Sequence, residues 1–447
     1  MNEPQAMSAF IPVDRLERRL PDLKPTYVDG EAVAESNRCL YCHDAPCVTA
    51  CPTGIDIPGF IRKIGTGNVA GSSRVILSAN LLGYSCARVC PVEVLCVGAC
   101  VYNAWNRPPI QIGRLQRYAV EKTLDSGRAA SLFTRASATG KKVACVGAGP
   151  ASLAAAGYLA LEGVAVTLFE RRALPGGLNT SGVAPYKMHV DAALREVELI
   201  RRLGVTFREG VEVGRDVSAG DLLRDFDAVF VGIGLGSDSR LGIPGEDGPG
   251  VIGATAWIER MKLEPGFTVD GVQRALVIGG GNTAIDAARE LARLGVTEVS
   301  MVYRRTAAEM PGYRHEMDAA RKEGVRLVEH AVPKEVRRVA DGRLSGLLLH
   351  DGRELPADLI VLGIGQAKLG ALATQFAGVT VDAKGRVVVD PATGATANPK
   401  VWAGGDCISA GQEVVNAAQE GKRAARSICA ALGVRVRPDA PMHAGHR

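Results

Sequence analysis

An α/β fold, with an all-helical N-terminal domain ahead of two Rossmann-like domains, is what the sequence predicts, and three observations predict it. Eight of the 11 cysteines fall between Cys39 and Cys100, at short, repeated spacings next to residues of helical periodicity. Two strand–glycine turn–helix–strand units, opening at Val143 and Ala275, carry the glycine pattern of dinucleotide sites. A Gly404-Gly405-Asp406 turn then precedes one more helix. The length of 447 residues by itself suggests about three domains.

Charged residues make up 23% and hydrophobic ones 47%, as in a soluble globular chain. The net charge of +5 is mild for this length and does not argue for nucleic acid or a membrane. Met1 to Leu20 contains no apolar signal, and no run of 18 apolar residues occurs, so a cytoplasmic location is expected. Thiols stay reduced there, and clustered cysteines bind metal more often than they pair.

Residues 1–35 are polar and include the charged amphipathic patch Asp14–Leu20, expected to form a solvated helix or arm. The cysteines follow as Cys39-x2-Cys42-x4-Cys47-x3-Cys51-Pro52 and Cys86-x3-Cys90-Pro91-x4-Cys96-x3-Cys100. Cys-Pro closing a ligand run is common in iron–sulfur proteins, and the segment predicts two [4Fe–4S] clusters. Structural zinc also takes four thiolates, but two compact Cys-x2-Cys pairs usually serve it, and these runs are built differently. His43, between ligand cysteines, is expected to be solvated or hydrogen-bonded. Pro58 to Leu82 has helical spacing, another helix runs from Ile110 to about Asp125, and Ser126 to Gly140 reads as a linker.

Val143–Val146 is a short strand, followed by Gly147-Ala-Gly149-Pro150-Ala151-Ser152, an alanine-rich helix to Leu161 and a strand ending in Glu170. The glycines let the backbone reach a pyrophosphate, the helix N-terminus receives its charge, and Glu170 binds a ribose hydroxyl. Ser152 stands at the third glycine position. The second unit has Ala275–Ile278, Gly279-Gly-Gly281-Asn282-Thr283-Ala284, a helix to Leu294 and a strand to Tyr303. That strand ends in Arg304-Arg305 rather than an acid, which suits a 2′-phosphate and points to NADP. Two more strands end in the glycine pairs Gly232/Gly234 and Gly363/Gly365, and Asp406 is placed near the ribityl–phosphate of a flavin, before a helix from Val414 to about Leu432. Cys145 and Cys429 read as core residues, and Cys407 has no cysteine partner for a flavin-side disulfide. The charged run Arg314–Glu323 reads as a solvated helix face.

Together, Arg38–Glu121, the Gly147–Ala151 turn, Gly279–Ala284 and the Gly-Gly-Asp-Cys ending resemble the PreT-type subunits of bacterial NAD-dependent dihydropyrimidine dehydrogenase, from about residue 35 to 433. The glutamate synthase small subunits are wider relatives. The resemblance implies one cluster on Cys39, Cys42, Cys47 and Cys100, and another on Cys51, Cys90, Cys96 and Gln116, with Cys86 left without a ligand role. Gln116 also separates the pyrimidine branch from typical glutamate synthase small subunits, which tend to have Glu there. For FAD the resemblance implies Gly147, Gly149, Pro150, Ala151, Glu170, Gly177, Leu178, Lys187 and Asp406. For the nicotinamide it implies Gly281, Asn282, Thr283, Arg304, Arg305, Gly363 and Gly365, with NAD slightly preferred over the NADP that the arginines suggest. No acid–base catalytic side chain is expected, because hydride transfer occurs at bound FAD.

The expected architecture is of the two-dinucleotide-binding flavoprotein type. A helical iron–sulfur domain with its linker covers 1–140, a split FAD domain 141–253 and 367–432, an NAD(P) domain 254–366 and a tail 433–447. Electrons from NAD(P)H would pass through FAD and the clusters to a PreA-like FMN/iron–sulfur subunit that reduces uracil or thymine, in a hetero-oligomer. A glutamate synthase small subunit or a stand-alone NAD(P)H–ferredoxin oxidoreductase is the alternative.

Overall fold

A computed structural model describes residues 11–437. Its contacts divide the chain into two compact units. The larger takes the described residues of Lys24–Thr180, Asp191–Leu235 and Lys368–Arg447; the smaller takes those of Met1–Leu23, Ser181–Val190 and Gly236–Ala367.

The larger unit opens with helices α1 (Asp29–Asn37), α2 (Pro46–Thr49), α3 (Ile57–Gly65), α4 (Val69–Ala79), α5 (Gly83–Val89) and α6 (Ile112–Asp125). Local chemistry sets their starts. Asp56 caps α3 by accepting from the Gly59 N–H at 2.9 Å, with Pro58 in the first turn. Asn68 caps α4 in the same way through Gly71. Phe60, Ile61 and Ile64 of α3 are buried at helical spacing. The Ser73 hydroxyl ties α4 to α6 through the Ala119 carbonyl at 2.7 Å.

Next come β1 (Lys142–Val146), α7 (Pro150–Leu161), β2 (Ala165–Glu170), α8 (Leu178–Ser181), α9 (Val190–Arg202), β3 (Thr206–Glu209), α10 (Ala219–Asp225) and β4 (Ala228–Val231). The smaller unit holds β5 (Val251–Gly253), α11 (Ala254–Leu263), β6 (Arg274–Ile278), α12 (Asn282–Arg293), β7 (Glu298–Val302), α13 (Arg314–Lys322), β8 (Arg326–Val328), β9 (Pro333–Arg338), β10 (Leu344–Leu349), β11 (Glu354–Pro356) and β12 (Leu359–Leu362). The chain returns through α14 (Gly370–Ala373), β13 (Val401–Ala403), α15 (Asp406–Ser409) and α16 (Val414–Ala431).

Each unit is built on a parallel five-stranded sheet, in the order β13-β4-β1-β2-β3 in the larger and β5-β12-β6-β7-β8 in the smaller. The smaller unit adds an antiparallel sheet, β11-β10-β9. Val146 of β1 lies in register with Phe169 of β2 and Val231 of β4, so these strands end together, at the edge where α/β sheets bind ligands. Because β5 pairs with β12, the smaller unit reaches back to Gly236, whereas the expected boundary at 254 left this edge strand with the flavin half.

The cysteine-bearing helices pack on the Rossmann helices of their own unit. Gly157 of α7 makes room for Leu81: a Cβ there would stand 2.6 Å from Leu81 Cδ1. Tyr158 Oη donates to the Ser78 carbonyl and Lys422 Nζ to the Ala79 carbonyl, both at 3.1 Å. Glu196, on α9, is fully buried and accepts from the Tyr84 N–H at 2.7 Å, the Ser85 N–H at 3.0 Å and the Ser85 hydroxyl. These are amide groups that the first turn of α5 cannot satisfy by itself.

Two expectations are corrected. The Asp14–Leu20 patch is not a solvated arm: Leu16 and Leu20 are buried in the core of the smaller unit with Trp257 and Ile258, and buried Glu17 accepts from Arg15 Nε at 2.8 Å and the Val190 N–H at 3.2 Å. Leu16 opens a single 3-10 turn, Leu16–Arg19, and Leu20 follows it in extended conformation, so the two ends of the turn both reach the core. The Arg314–Glu323 run is not merely a solvated face. Its Glu316 and Glu323 both pair with Arg289 of α12, which itself is largely buried.

Burial raises the Glu196 carboxyl to about 7 from its ordinary 4.5, outweighing the three donated hydrogen bonds. A raised carboxyl favours folding below its unfolded pKa, and that contribution is lost as pH climbs to the folded value. Glu196→Gln is therefore expected to remove a decline of about 3 kcal/mol in stability between pH 4.5 and 7. Melting curves of the two proteins across that window check this, and parallel pH profiles would refute it.

Candidate functional site

The two Rossmann turns are built on the same steric constraint. After β1, Gly147 has φ +84°, and a Cβ there would come within 2.7 Å of the Gly232 carbonyl oxygen at the end of β4. After β6, Gly279 has φ +141°, and its Cβ would come within 2.2 Å of the Gly363 oxygen at the end of β12. Only glycine fits either position. The second glycine of each turn is the opposite case: a Cβ on Gly149 or Gly281 would meet nothing within 4 Å. Each is the N-cap of its helix, α7 or α12, so open space lies in front of a helix N-terminus, as pyrophosphate binding requires.

The third position is explained by the neighbouring strand. Ser152 replaces glycine because Gly232 faces it without a side chain; a Cβ on Gly232 would stand 2.2 Å from Ser152 Oγ. Ala284 and Gly363 make the same pair in the second turn, at 2.7 Å. Gly234 and Gly365, two residues beyond these, are at positive φ with open space around them.

Around the first turn, Pro150 and Ala151 begin α7, and Gly177 at φ +56° brings its backbone against Gly149, where a Cβ would lie 2.8 Å from the Gly149 Cα. Leu178 starts α8. Glu170 is buried and accepts from the Ala148 N–H at 2.8 Å and the Arg172 N–H at 2.9 Å, fixing its carboxylate at the end of β2 beside the turn. Asp406 heads α15 behind Gly405 at φ +80°; burial raises its carboxyl, and it accepts from the Gln412 N–H at 3.0 Å. Lys187 belongs to the smaller unit, and the other residues expected around FAD belong to the larger. Its ammonium is held 2.8 Å from Asp286 and 2.9 Å from Glu316. Burial alone would lower its pKa, but these carboxylates raise it.

Around the second turn, Asn282 starts α12 and its Oδ1 accepts from the Tyr313 N–H at 2.8 Å, while Thr283 follows at the surface. Arg304 and Arg305 are exposed just past β7, and neither guanidinium has an ion-pair partner among the described residues.

Cys39, Cys42, Cys47 and Cys100 line one cavity, walled by Ile57, Pro58, Ile61, Ile110 and Ile112. Among the described residues no three His, Cys, Asp or Glu side chains close on a single metal ion. Thiols around a cavity with apolar walls can hold a cluster, each binding a different iron. Burial, then Cys39 and Cys100, push the Cys47 thiol up to about 12. Cys96 is pushed up to about 12 by burial, then by Cys51 and Cys47. The Cys90 thiol is raised by a hydrogen bond with the Cys86 side chain, then by burial, and it also feels Cys96 and Cys51. Cys51 thus influences both Cys90 and Cys96, and Cys96 also feels Cys47 of the cavity. Gln116 is buried on α6 and donates from Nε2 to the Gly83 carbonyl at the head of α5, at 2.6 Å, which leaves Oε1 as the oxygen it has to offer. His43 is exposed.

Residues 141–421 match the pyridine nucleotide-disulphide oxidoreductase family, and residues 17–128 match the family described as dihydropyrimidine dehydrogenase domain II, 4Fe-4S cluster. The chain belongs to the pyridine nucleotide-disulphide oxidoreductases. Among its relatives is the NAD-dependent dihydropyrimidine dehydrogenase subunit PreT of Escherichia coli, 36% identical, with 92% of this chain and 96% of the relative covered. The glutamate synthase [NADPH] small chain of Escherichia coli is 32% identical, with 90% and 92% covered. Thioredoxin reductase of T. acidophilum shares the fold at a TM-score of 0.54 and 23% identity, over 65% of this chain and 98% of that one.

The chain is thus an NAD(P)H-dependent flavin/iron–sulfur oxidoreductase with a 4Fe–4S domain ahead of the paired nucleotide folds. The residues fit both kinds of group: open space faces Gly149 and Gly281, and thiols surround a cavity. Unlike a dithiol reductase, it keeps Cys145, Cys407 and Cys429 buried and apart in sequence, and burial raises each thiol. No helix among the described residues is long and apolar enough to cross a membrane. Sequence reasoning missed Glu196, because a lone glutamate in an amphipathic helix looks like a surface residue; only its spacing with buried Val197 and Ile200 hinted otherwise.

Gly149 has ordinary backbone angles, φ −76° and ψ 177°, and empty space ahead of it. Gly149→Val is expected to fold with stability changed by no more than about 1 kcal/mol, yet to bind flavin at least about tenfold more weakly. Flavin absorbance per protein, read beside a melting curve, checks this, and undiminished flavin would contradict it.

Proposed function

We propose that the protein is the electron-input subunit of a dihydropyrimidine dehydrogenase. It would take electrons from NAD(P)H and pass them through FAD and two [4Fe–4S] clusters to a partner FMN/iron–sulfur subunit of the PreA type. That partner would reduce uracil or thymine to the 5,6-dihydro form. The observation that carries this reading is Gln116: a buried amide donates to the Gly83 carbonyl at the head of α5, the helix that leads into Cys90, at a position where glutamate synthase small subunits tend to have Glu.

In this reading Cys39, Cys42, Cys47 and Cys100 hold one cluster, and Cys51, Cys90, Cys96 and Gln116 hold the other. Replacing one thiolate by a neutral amide removes a negative charge and alters that cluster's potential. Bound flavin supplies the conversion of two-electron to one-electron chemistry. The chain's own contribution is positional. Gly147, Gly149 and Gly177 clear the backbone for the pyrophosphate, Glu170 accepts a ribose hydroxyl, and Asp406 stands at the ribityl side. Gly281 and Gly365 leave space for the nicotinamide nucleotide. Lys187, committed to two carboxylates, supports the smaller unit and is proposed as a flavin contact only through the family resemblance.

The exit also has a physical basis. Tyr102 lines the first cavity, Trp105 packs edge-on against it at 5.7 Å with 56% of its surface exposed, and Leu40 between two of the thiols is 47% exposed. Apolar surface beside a redox site suits a protein acceptor. The likeness to glutamate synthase small chains supports a second reading, in which the acceptor is a large amidotransferase subunit.

The purified chain is expected to oxidise NAD(P)H with artificial acceptors and leave uracil untouched; uracil reduction by the chain alone would overturn the division of labour. Co-purification with an FMN/iron–sulfur barrel supports the pyrimidine reading, and an amidotransferase in its place refutes it.

Arg304→Ala/Arg305→Ala tests the nicotinamide site. Losing charge-assisted bonds worth about 1.5–3 kcal/mol should raise KM for NADPH at least about tenfold and leave KM for NADH near its original value. Equal changes with both donors would show that the pair meets no 2′-phosphate.

A further inference from the structure

In a dinucleotide fold the ribose 2′-position is read at the end of the second strand, which in the smaller unit is the end of β7. Arg304 and Arg305 follow there as exposed cations, yet the donors that come next in the chain are taken by carboxylates. β7 runs parallel to β8 with Val302 in register with Val328, so Glu329 and His330 emerge beside Tyr303 and Arg304. Backbone bonds tie the two strand ends together. The Ala331 N–H donates to the Tyr303 carbonyl at 2.9 Å, and the His330 N–H donates to the Arg305 carbonyl at 3.2 Å.

Two acids occupy the turn that leaves Arg305. Glu309 closes a capping box, accepting from the Thr306 N–H at 3.1 Å and the Thr306 hydroxyl at 2.9 Å. Glu329, from the end of β8, accepts from the Ala307 N–H. The hydroxyl and both amides that could have joined the arginines around a 2′-phosphate therefore face carboxylates. Tyr303 Oη donates to the Glu309 carbonyl at 2.9 Å and keeps the turn against the strand. The bonds from Thr306 hold the Glu309 carboxyl below its usual range, and the charge of Arg305 adds to this.

The charges at this corner are balanced before any ligand enters. Arg304 and Arg305 are matched by Glu309 and Glu329, all four exposed. Arg353, which donates to the Glu329 and His330 carbonyls at 3.3 Å, is already paired with Asp351 at 2.7 Å. A 2′-phosphate brings roughly two more negative charges at neutral pH. A free 2′-hydroxyl instead donates to a carboxylate.

We infer that Glu329, together with Glu309, is a specificity-determining residue that makes NADH the preferred donor by opposing a 2′-phosphate beside Arg304 and Arg305. The inference rests on the nicotinamide site proposed above. The arginines supply whatever contact NADPH has, and the two acids limit what that contact yields.

The test compares kcat/KM for NADH and NADPH in the purified holoprotein, with an artificial acceptor, at low and high salt. The wild-type protein is expected to favour NADH. Glu329→Gln keeps an oxygen for the Ala307 N–H but loses the charge. It should raise kcat/KM for NADPH relative to NADH by about fivefold at low salt, through KM. Glu309→Gln, which preserves the capping box, should move the ratio in the same direction. Both shifts should shrink at high salt, as screening of a charge requires and a merely structural role does not. Glu329→Asp, which retains the charge, should still favour NADH. A wild-type preference for NADPH, an unchanged ratio in both glutamine variants, or a shift indifferent to salt overturns the inference. Arg304→Ala/Arg305→Ala separates the two levels. Equal effects on both donors would show that the site itself is misplaced, whereas a loss confined to NADPH beside unchanged glutamine variants removes only the role of the acids. Should Glu329→Gln fail to fold, Glu309→Gln in the same assay decides between the same outcomes.

Discussion

The buried carboxylate of Glu196 is the interaction on which the working geometry of the larger unit depends. It reaches from α9, a helix of the Rossmann layer, to the first amides of α5, the helix that carries Cys86 and leads into Cys90. The carbonyl at the head of the same helix, Gly83, holds Gln116. One side chain therefore fixes the position of a cysteine helix relative to the sheet that presents the flavin-type turn. Electron transfer between two sites depends on holding their separation constant, and a buried, three-donor carboxylate is a stiff way to hold it.

The nucleotide sites rest on a second constraint, which is purely steric. In both units the first glycine of the turn is pressed against the carbonyl of a strand-end glycine, and the third position packs on that same strand-end residue. Gly147, Ser152 and Gly232 form one such triad, and Gly279, Ala284 and Gly363 the other. The departure from the glycine pattern at Ser152 is thus compensated across the sheet, by the absence of a side chain at Gly232. The second glycine is left facing open space in both, so the same backbone solution is available to two different nucleotides. The end of the second strand then separates them: Glu170 is buried and bound to backbone amides, whereas Arg304 and Arg305 are exposed and make no ion pair among the described residues.

Ionic groups in the smaller unit serve cohesion more than chemistry. Lys187, Asp286, Glu316, Arg289, Glu323 and Arg293 form a linked set of ion pairs, closed by the Tyr186 hydroxyl on Asp286. Most of these groups are largely buried, so each depends on its neighbours to remain charged. The segment that carries Tyr186 and Lys187 joins the same core as Leu16 and Leu20. Two chain segments remote in sequence are thereby folded into the unit that contains α12.

The fold class, the two glycine turns and the cysteine-rich helical segment were legible in the amino-acid sequence, because each is written in local spacing: period-3.6 helices, short apolar strands and glycines where the backbone must turn or approach closely. Gln116 came into consideration through likeness to a family rather than through any local pattern. The pairing of Ser152 with Gly232, the core position of Leu16 and Leu20 and the burial of Glu196 emerged only from the folded chain. The cause is the same in each case. These outcomes depend on contacts between residues tens to hundreds of positions apart, and neither periodicity nor composition carries that information. A charged residue such as Glu17, Lys187 or Glu196 looks solvated until the donors and partners that offset its burial are brought beside it.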